Sequence, residues 1–216
     1  MTRWSQPIDR CRQCARPAKG SAEICGECLS ANASRTSSID CCIAAVDYAY
    51  PWQQLMARFK FQSEPGWAET FAHMIWHAPG AADLLHRASC IVPVPTSRQR
   101  LAQRGYNQSW LIAKALASRY ARSGPRRIDG PVLVAGLESK RDTPAQHQLG
   151  RKQRLGNLKN AFALTQAMKA QLVTNPQARL VLIDDVSTTG TTLEAAAQAL
   201  RQAGATSVSA LVVCRA

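Results

Sequence analysis

Two groups of residues in this 216-residue chain have types and spacings that could do chemistry. Asp184 and Asp185 stand side by side at the end of the apolar run Leu180–Ile183, and Ser187-Thr188-Thr189-Gly190-Thr191-Thr192 follows them. Two neighbouring carboxylates suit a vicinal diol, each accepting a hydrogen bond from one ribose hydroxyl. The hydroxyl-rich stretch is sized for a phosphate. Gly190 lets the backbone come close, the hydroxyls donate, and a helix start behind them offers unpaired N–H groups and a positive dipole end. The plain alternative is a strand, a turn and a helix capped by Ser and Thr, and it leaves two carboxylates at the end of a buried strand without a partner. Residues 180–192 therefore describe a sugar-phosphate site. The second group is Cys11, Cys14, Cys25 and Cys28, two Cys-x2-Cys pairs ten residues apart. At that spacing four thiolates can close a tetrahedral zinc site. The pattern implies no carboxylate ligand and no open position, so the metal is structural and replaces a core that about forty residues could not build alone. The alternative is four free surface thiols. A disulfide scaffold is disfavoured by a reducing compartment, and a thioredoxin-like pair would need a preceding strand and a following helix, which the surrounding Pro, Gly and Lys residues do not offer.

The elements that must position these residues follow from periodicity. Leu180–Ile183 reads as a buried strand of a parallel sheet, too short and too bounded for a helix. Leu193, Ala196, Ala197 and Leu200 repeat with a helical period, and Gly204 is the expected stop. Upstream, Ala31–Ser38 is a polar linker. Cys41–Tyr50 reads as an edge strand with Cys41 and Cys42 in the core, and Pro51 opens a helix through Phe61. A second helix spans Trp67–Trp76. Ser89–Val94 is another core strand, followed directly by the loop Pro95–Arg100. In a parallel sheet the loops after strand C-termini gather at one crevice, so Thr96, Ser97, Arg98 and Arg100 can face the Ser187–Thr192 loop. Asn107 and Gln108 lead into a helix to about Arg119. Phe162–Leu164 re-enters the sheet, Thr165–Gln177 is a helix or loop, and Ser207–Val213 is a terminal strand. Cys90 and Cys214 lie in strand-like runs as packing residues. His73, His77 and His86 read as surface histidines, because no Glu pairing or third ligand accompanies the i, i+4 pair. The fold class is α/β, a mainly parallel sheet flanked by helices, preceded by a small cysteine module.

The net charge of +13 is unevenly placed. Residues 91–160 hold fourteen basic side chains against three acidic, while each other stretch is close to neutral. Such a segment points to a polyanionic partner, a phosphate, diphosphate or nucleic-acid backbone, or else to a solvated basic face. Between Glu138 and Asn157 only Ala145, Leu149 and Leu155 are apolar, so the segment cannot offset its ordering cost by burial. It carries Lys140, Arg141, Arg151, Lys152 and Arg154, and reads either as a basic lid closing over an anion or as a disordered surface loop. No run of about 18 apolar residues is present, and the polar start Met-Thr-Arg-Trp-Ser-Gln lacks a signal-peptide stretch. A cytoplasmic protein with no membrane insertion is expected.

The 180–192 stretch resembles, position by position, the ribose-phosphate signature of type I phosphoribosyltransferases, which bind phosphoribosyl pyrophosphate (PRPP). Val92-Pro-Val-Pro-Thr-Ser-Arg-Gln-Arg-Leu-Ala-Gln-Arg-Gly-Tyr-Asn-Gln108 narrows the resemblance to the ComF family of competence-associated proteins. The cysteine module, Lys140–Gln146, Arg154–Phe162 and the terminal strand fit the same family; the stretch after Phe61 departs from it, with Gln-Ser-Glu-Pro-Gly where an early Gly is expected. The resemblance implies a type I phosphoribosyltransferase domain over 39–216, with a lid at about 138–157, behind a zinc module and linker over 1–38. It implies that Asp184, Asp185, Ser187, Thr188, Thr189, Gly190, Thr191, Thr192, Thr96 and Ser97 bind PRPP with Mg²⁺, while Arg98, Lys140 and Arg141 hold the departing diphosphate. The chain is then an enzyme displacing diphosphate by an acceptor the sequence does not name. Met1-Thr2 supplies no amino-terminal cysteine for glutamine-dependent chemistry. The alternative is a non-catalytic, PRPP-sensing factor that binds single-stranded DNA and works with a DNA-uptake machinery, as the family's link to natural transformation implies. Tyr106, Trp110 and Tyr120 are the only aromatics in the basic segment, so backbone contact is better supported than stacking.

Overall fold

The computed structural model describes residues 9–18, 23–34, 37–123, 130–140 and 161–216. Its strands are β1 (Cys42–Asp47), β2 (Cys90–Pro93), β3 (Val132–Leu133), β4 (Leu137–Ser139), β5 (Phe162–Leu164), β6 (Arg179–Ser187) and β7 (Ser207–Arg215). Its helices are α1 (Gly26–Ser34), α2 (Trp52–Phe61), α3 (Trp67–Trp76), α4 (Ala81–Arg87), α5 (Arg98–Arg104), α6 (Gln108–Arg122), α7 (Gln166–Thr174) and α8 (Thr191–Gln202). Among the described residues five strands form one parallel sheet in the order β1-β7-β6-β2-β3, with β1 at an edge as its sequence suggests.

Alternate residues of β6 enter opposite cores. Leu180 and Leu182 join Val92, Ala210 and Val212 on one face, while Val181 and Ile183 join Ile91, Leu211 and Val213 on the other. A strand covered on both sides has no polar face, which is why this stretch is continuously apolar. The first face is covered by α7 and α8 through Met168, Leu172, Leu193 and Leu200. The second is covered by α2, α3, α4 and α6 through Phe59, Phe71, Leu85 and Leu116. Phe59 is fully buried, its ring edge-on to Phe71 at 5.3 Å; truncating such a side chain to Ala costs about 3–5 kcal/mol.

The connections fix where a site can form. The chain leaves β2 through α5 and α6 toward β3, and leaves β6 through α8 toward β7, so the two crossovers diverge at the β2–β6 boundary. That divergence opens a crevice at the carboxyl ends of these strands. The ladder to β2 ends with Pro93 opposite Ile183 and one further bond from Val94 N to Ile183 O at 2.9 Å, whereas β7 stays paired with β6 as far as Ser187 opposite Arg215. Asp184 to Ser187 thus project past β2 along the crevice.

Several expectations are corrected. β6 does not stop at Ile183; the equally long β7 carries it through the acidic pair to Ser187. Arg98 and Arg100 are not on a loop but on α5, which Ser97 caps and Gly105, at φ 78°, ends. Helix α5 buries none of its side chains, so no apolar stripe marks it. Phe162–Leu164 does not re-enter the main sheet; it pairs antiparallel with β4 in a separate ribbon beyond the end of β3. The segment Ala31–Ser38 is helical over its first half, as the continuation of α1. Cys42, Cys90 and Cys214 are buried in strands, and His73, His77 and His86 are exposed, as expected. The chain leaves the ribbon at Lys140 and returns to it at Ala161, whose carbonyl accepts from Lys140 N at 2.9 Å. Arg141, Arg151, Lys152 and Arg154 lie outside the described residues.

Candidate functional site

The crevice is built from three directions. From β6 come Asp184, half-buried, and Asp185, 8% exposed. From α6 comes Ser109, whose hydroxyl donates to Asp184 Oδ1 at 2.9 Å, the same oxygen that accepts from Asp185 N at 2.9 Å. Asn107 sets that geometry as the helix cap. Its Oδ1 accepts from Ser109 N at 3.0 Å and Trp110 N at 3.4 Å, while its Nδ2 donates to the Val94 carbonyl at 3.1 Å and ties α6 to the end of β2. From α2 comes Lys60, with Nζ 3.0 Å from Asp185 Oδ1. Helix α2 is held there by the Tyr106 hydroxyl, which donates to the Phe59 carbonyl at 2.5 Å, and by Arg104 lying 5.1 Å over the Phe61 ring.

Lys60 and Ser109 escaped the sequence reading. Lys60 carried one available signal: it shares the helical stripe of the buried Met56 and Phe59, at i, i+3 and i+4, where a lysine has no reason to be unless it meets a carboxylate. The surroundings push the Asp184 carboxyl up to about 7. Burial is the chief cause and the Asp185 charge adds to it, against the Ser109 hydroxyl, the Asp185 N–H and the Lys60 charge, which all favour the ionised form.

Beyond the carboxylates, Ser187 is buried, Thr188 and Thr189 are exposed, and Gly190 turns the chain at φ 80° into α8. Thr191 and Thr192 therefore sit in the first helical turn and not in a loop. Gly190 at the cap position offers no side chain; among the described residues Thr191 N donates to Thr189 Oγ1 at 3.4 Å, and the Thr189 and Thr191 hydroxyls are hydrogen-bonded at 2.9 Å. An uncapped start with hydroxyls around it is an anion-binding geometry. Thr96 and Ser97, both half-buried, follow β2 across the crevice, although the Ser97 hydroxyl is engaged by Arg100 N at 3.3 Å. Arg98 is exposed at the start of α5, and Lys140 is exposed at the end of β4. Strand β5 of the same ribbon packs against α8.

The four cysteines converge. The sulfur atoms of Cys11, Cys14, Cys25 and Cys28 all lie within 4.8 Å of one another, with Cys14 and Cys25 at 3.7 Å. Tetrahedral coordination at a Zn–S distance near 2.3 Å requires sulfurs about 3.8 Å apart, so the set fits a metal ion of that kind. Cys25 N donates to Cys11 Sγ at 3.3 Å. Burial acts to raise the Cys11 pKa, but the N–H groups of Cys25, Cys14 and Gln13 outweigh it and hold the thiol at about 7. The cluster is joined to the sheet. Arg10 reaches Asp47 Oδ1 at 2.8 Å and Cys42 N donates to Arg12 O at 2.8 Å. Glu194 on α8 accepts from Ser37 Oγ at 3.0 Å and Ser38 N at 2.8 Å, and Arg201 pairs with Asp40.

Residues 152–216 match the family model described as a phosphoribosyl transferase domain. The chain is 32% identical over 209 residues to competence protein F of Haemophilus influenzae, across 95% of this chain and 84% of that protein. It is 31% identical over 209 residues to the DNA utilization protein YhgH of Escherichia coli K12, across 95% and 83%, and 29% identical over 213 residues to YhgH of Salmonella typhimurium, across 97% and 86%. The mainly parallel sheet flanked by helices, with a four-cysteine module in front, is the phosphoribosyltransferase architecture expected from the sequence. Among the described residues no helix is long and apolar enough to cross a membrane.

Proposed function

The chain belongs to the competence protein F (ComF) family, and from that premise we propose that it binds PRPP with Mg²⁺ in the β2–β6 crevice and displaces diphosphate from the sugar. The observation that carries this reading is the adjacent Asp184 and Asp185 projecting beside an uncapped helix start with Gly190 at φ 80°. Asp184 and Asp185 accept from the ribose hydroxyls, and Ser187 to Thr192 hold the 5-phosphate. Thr96 and Ser97 border the sugar from the other side of the crevice. Loss of diphosphate leaves an oxocarbenium-like carbon and a highly charged leaving group, so holding the sugar and neutralising that charge are the tasks left to the protein. Arg98, Lys140 and Arg141 serve the diphosphate, and Mg²⁺, arriving with the substrate, supplies further charge neutralisation while keeping several waters. No covalent nucleophile is required. Residues 1–38 act as a zinc-binding module and 39–216 carry the site, in a cytoplasmic protein whose thiols stay reduced.

Calorimetric titration of PRPP with Mg²⁺ into wild type and into Asp184→Asn/Asp185→Asn tests the binding; equal affinity for both would remove the site. Diphosphate release measured with candidate acceptors then tests turnover.

A second reading has its own observation. Helix α5 presents Arg98, Arg100 and Arg104 with no acidic residue and no buried side chain, beside Phe61, which is 72% exposed. Such a surface fits the backbone of single-stranded DNA, and two relatives carry names referring to competence and DNA utilization. On this reading the chain senses PRPP without turning it over and contacts DNA within an uptake machinery. Affinity for a single-stranded oligonucleotide should fall steeply with salt; no binding at low salt would exclude it.

A further inference from the structure

The side chain of Arg215, on the last residue of β7, is 2% exposed and joins the two ends of the molecule's chemistry. Its Nε donates to the Cys14 carbonyl at 2.8 Å, and its Nη1 donates to the Ser187 carbonyl at 2.9 Å, to the Thr188 carbonyl and to the backbone oxygen of Ala216. One side of this guanidinium thus grips the turn that bears Cys11 and Cys14, and the other grips the loop that precedes α8. A guanidinium is a rigid plane of donors, so it holds its acceptors at fixed relative positions.

The gripped turn is small. Cys11 N donates to Arg16 O and Ala15 N to Cys11 O, both at 2.8 Å, and Ala15 closes it at φ 59°. It buries Cys11 and Ala15 and little else. Arg10 Nη1 donates to the Ala15 carbonyl at 3.0 Å and Cys42 N to Arg12 O at 2.8 Å; with so few apolar contacts beside these bonds, the turn relies on the four-sulfur cluster for the rest of its order. If it loosens, the buried guanidinium loses an acceptor and its hold on Ser187 and Thr188 changes, because a buried charged donor left unpaired is costly.

We propose that Arg215 is a positioning residue through which the metal-bound state of the four-cysteine module sets the order of residues 187–192, from the end of β6 to the first turn of α8, and hence their affinity for the phosphate of PRPP. The inference rests on reading that stretch as the phosphate site. Coupling between two sites is reciprocal, so a ligand there also slows loss of the metal.

The test uses the full chain, zinc-loaded or stripped by a zinc-selective chelator, as wild type, Arg215→Gln and Arg215→Lys. Amide hydrogen exchange is followed over residues 11–16 and 187–192 without PRPP. Stripping wild type should speed exchange at 187–192 roughly tenfold, as expected for losing a charged hydrogen bond. Arg215→Gln should show the same acceleration while still holding one zinc, and stripping it should add nothing at 187–192. Arg215→Lys keeps the charge but loses the fork, and should follow Arg215→Gln. PRPP affinity should weaken by about the same factor in each accelerated state. The proposal is overturned if stripping speeds exchange at 11–16 but leaves 187–192 unchanged, or if stripping and Arg215→Gln act additively. Stripped wild type decides the matter alone if neither variant folds. Failure of zinc-loaded wild type to bind PRPP would sink the PRPP reading, and the exchange measurement would still decide the coupling.

Discussion

Lys60 Nζ lies 3.0 Å from Asp185 Oδ1, with the two side chains only 17% and 11% exposed, so the acidic pair of β6 is met by a cation from α2. Breaking such a pair leaves a nearly buried charge without its partner, which costs about 1–3 kcal/mol. Lys60→Met and Asp185→Asn should each destabilise the chain to urea. The double variant should lose less than the sum, with a coupling of about 1–2 kcal/mol. Additivity to within about 0.3 kcal/mol would show that the pair contributes nothing.

The Asp184 carboxyl, raised from its ordinary 3.8 to about 7 chiefly by burial and then by the Asp185 charge, makes stability depend on pH. Between 3.8 and about 7 the folded state holds a proton that the unfolded state has lost, so this stabilising term is full below 3.8 and disappears as pH rises through about 7. Asp184→Asn should flatten the fall in melting temperature between pH 5 and pH 8. Binding runs the other way. Ribose hydroxyls donate to the ionised carboxylate, so PRPP affinity should rise with pH through the same window, with a proton released on binding. Calorimetry at pH 6.5 in two buffers of different ionisation enthalpy reads that proton directly. Identical apparent enthalpies would refute the assignment.

Part of the fold and of the site is legible in the sequence itself. Leu180–Ile183 announces itself because a doubly covered parallel strand is apolar throughout, and α2 and α3 announce themselves through Pro51 and the helical repeat of Phe71 and Ile75. The spacing of the four cysteines suggests a set, and their convergence to within 4.8 Å bears that out over four free surface thiols. What escaped depends on partners distant in sequence. Nothing local says that Phe162 faces Ser139 and not a strand of the main sheet, or that Ser109 reaches Asp184. Helix α5 escapes for the opposite reason: it buries none of its side chains, so it has no apolar stripe and its marks are its Ser97 cap and Gly105. Arg215 follows an apolar run whose burial argues against a charge, and its carbonyl partners leave no trace in composition.

The four sulfurs predict one zinc ion per chain by mass spectrometry of the intact protein under non-denaturing conditions. Cys28→Ser should lower that content well below one and reduce the melting temperature. Binding requires the thiols to lose their protons, and the Cys28 thiol is pushed up, first by burial and then by its contacts with Cys14 and Cys25. Zinc affinity should therefore fall as pH is lowered, each protonated ligand competing with the metal. Full zinc content in Cys28→Ser, or zinc retention insensitive to pH between 5 and 8, would exclude the four-thiolate site.

Gly190 separates a conformational role from a steric one. A β-carbon built there meets nothing closer than Ser187 Oγ at 4.0 Å, so space is available, but φ 80° is a conformation that an L side chain adopts at a cost of about 1–2 kcal/mol. Gly190→Ala should destabilise the chain by that amount. Gly190→Asn should cost less, because Asn tolerates the left-handed region better. If the loop holds a phosphate through close backbone approach, PRPP affinity should fall in both variants, including the better-tolerated Asn. Unchanged PRPP affinity in Gly190→Asn would confine the glycine to starting α8 and would remove close backbone approach from the account of the site.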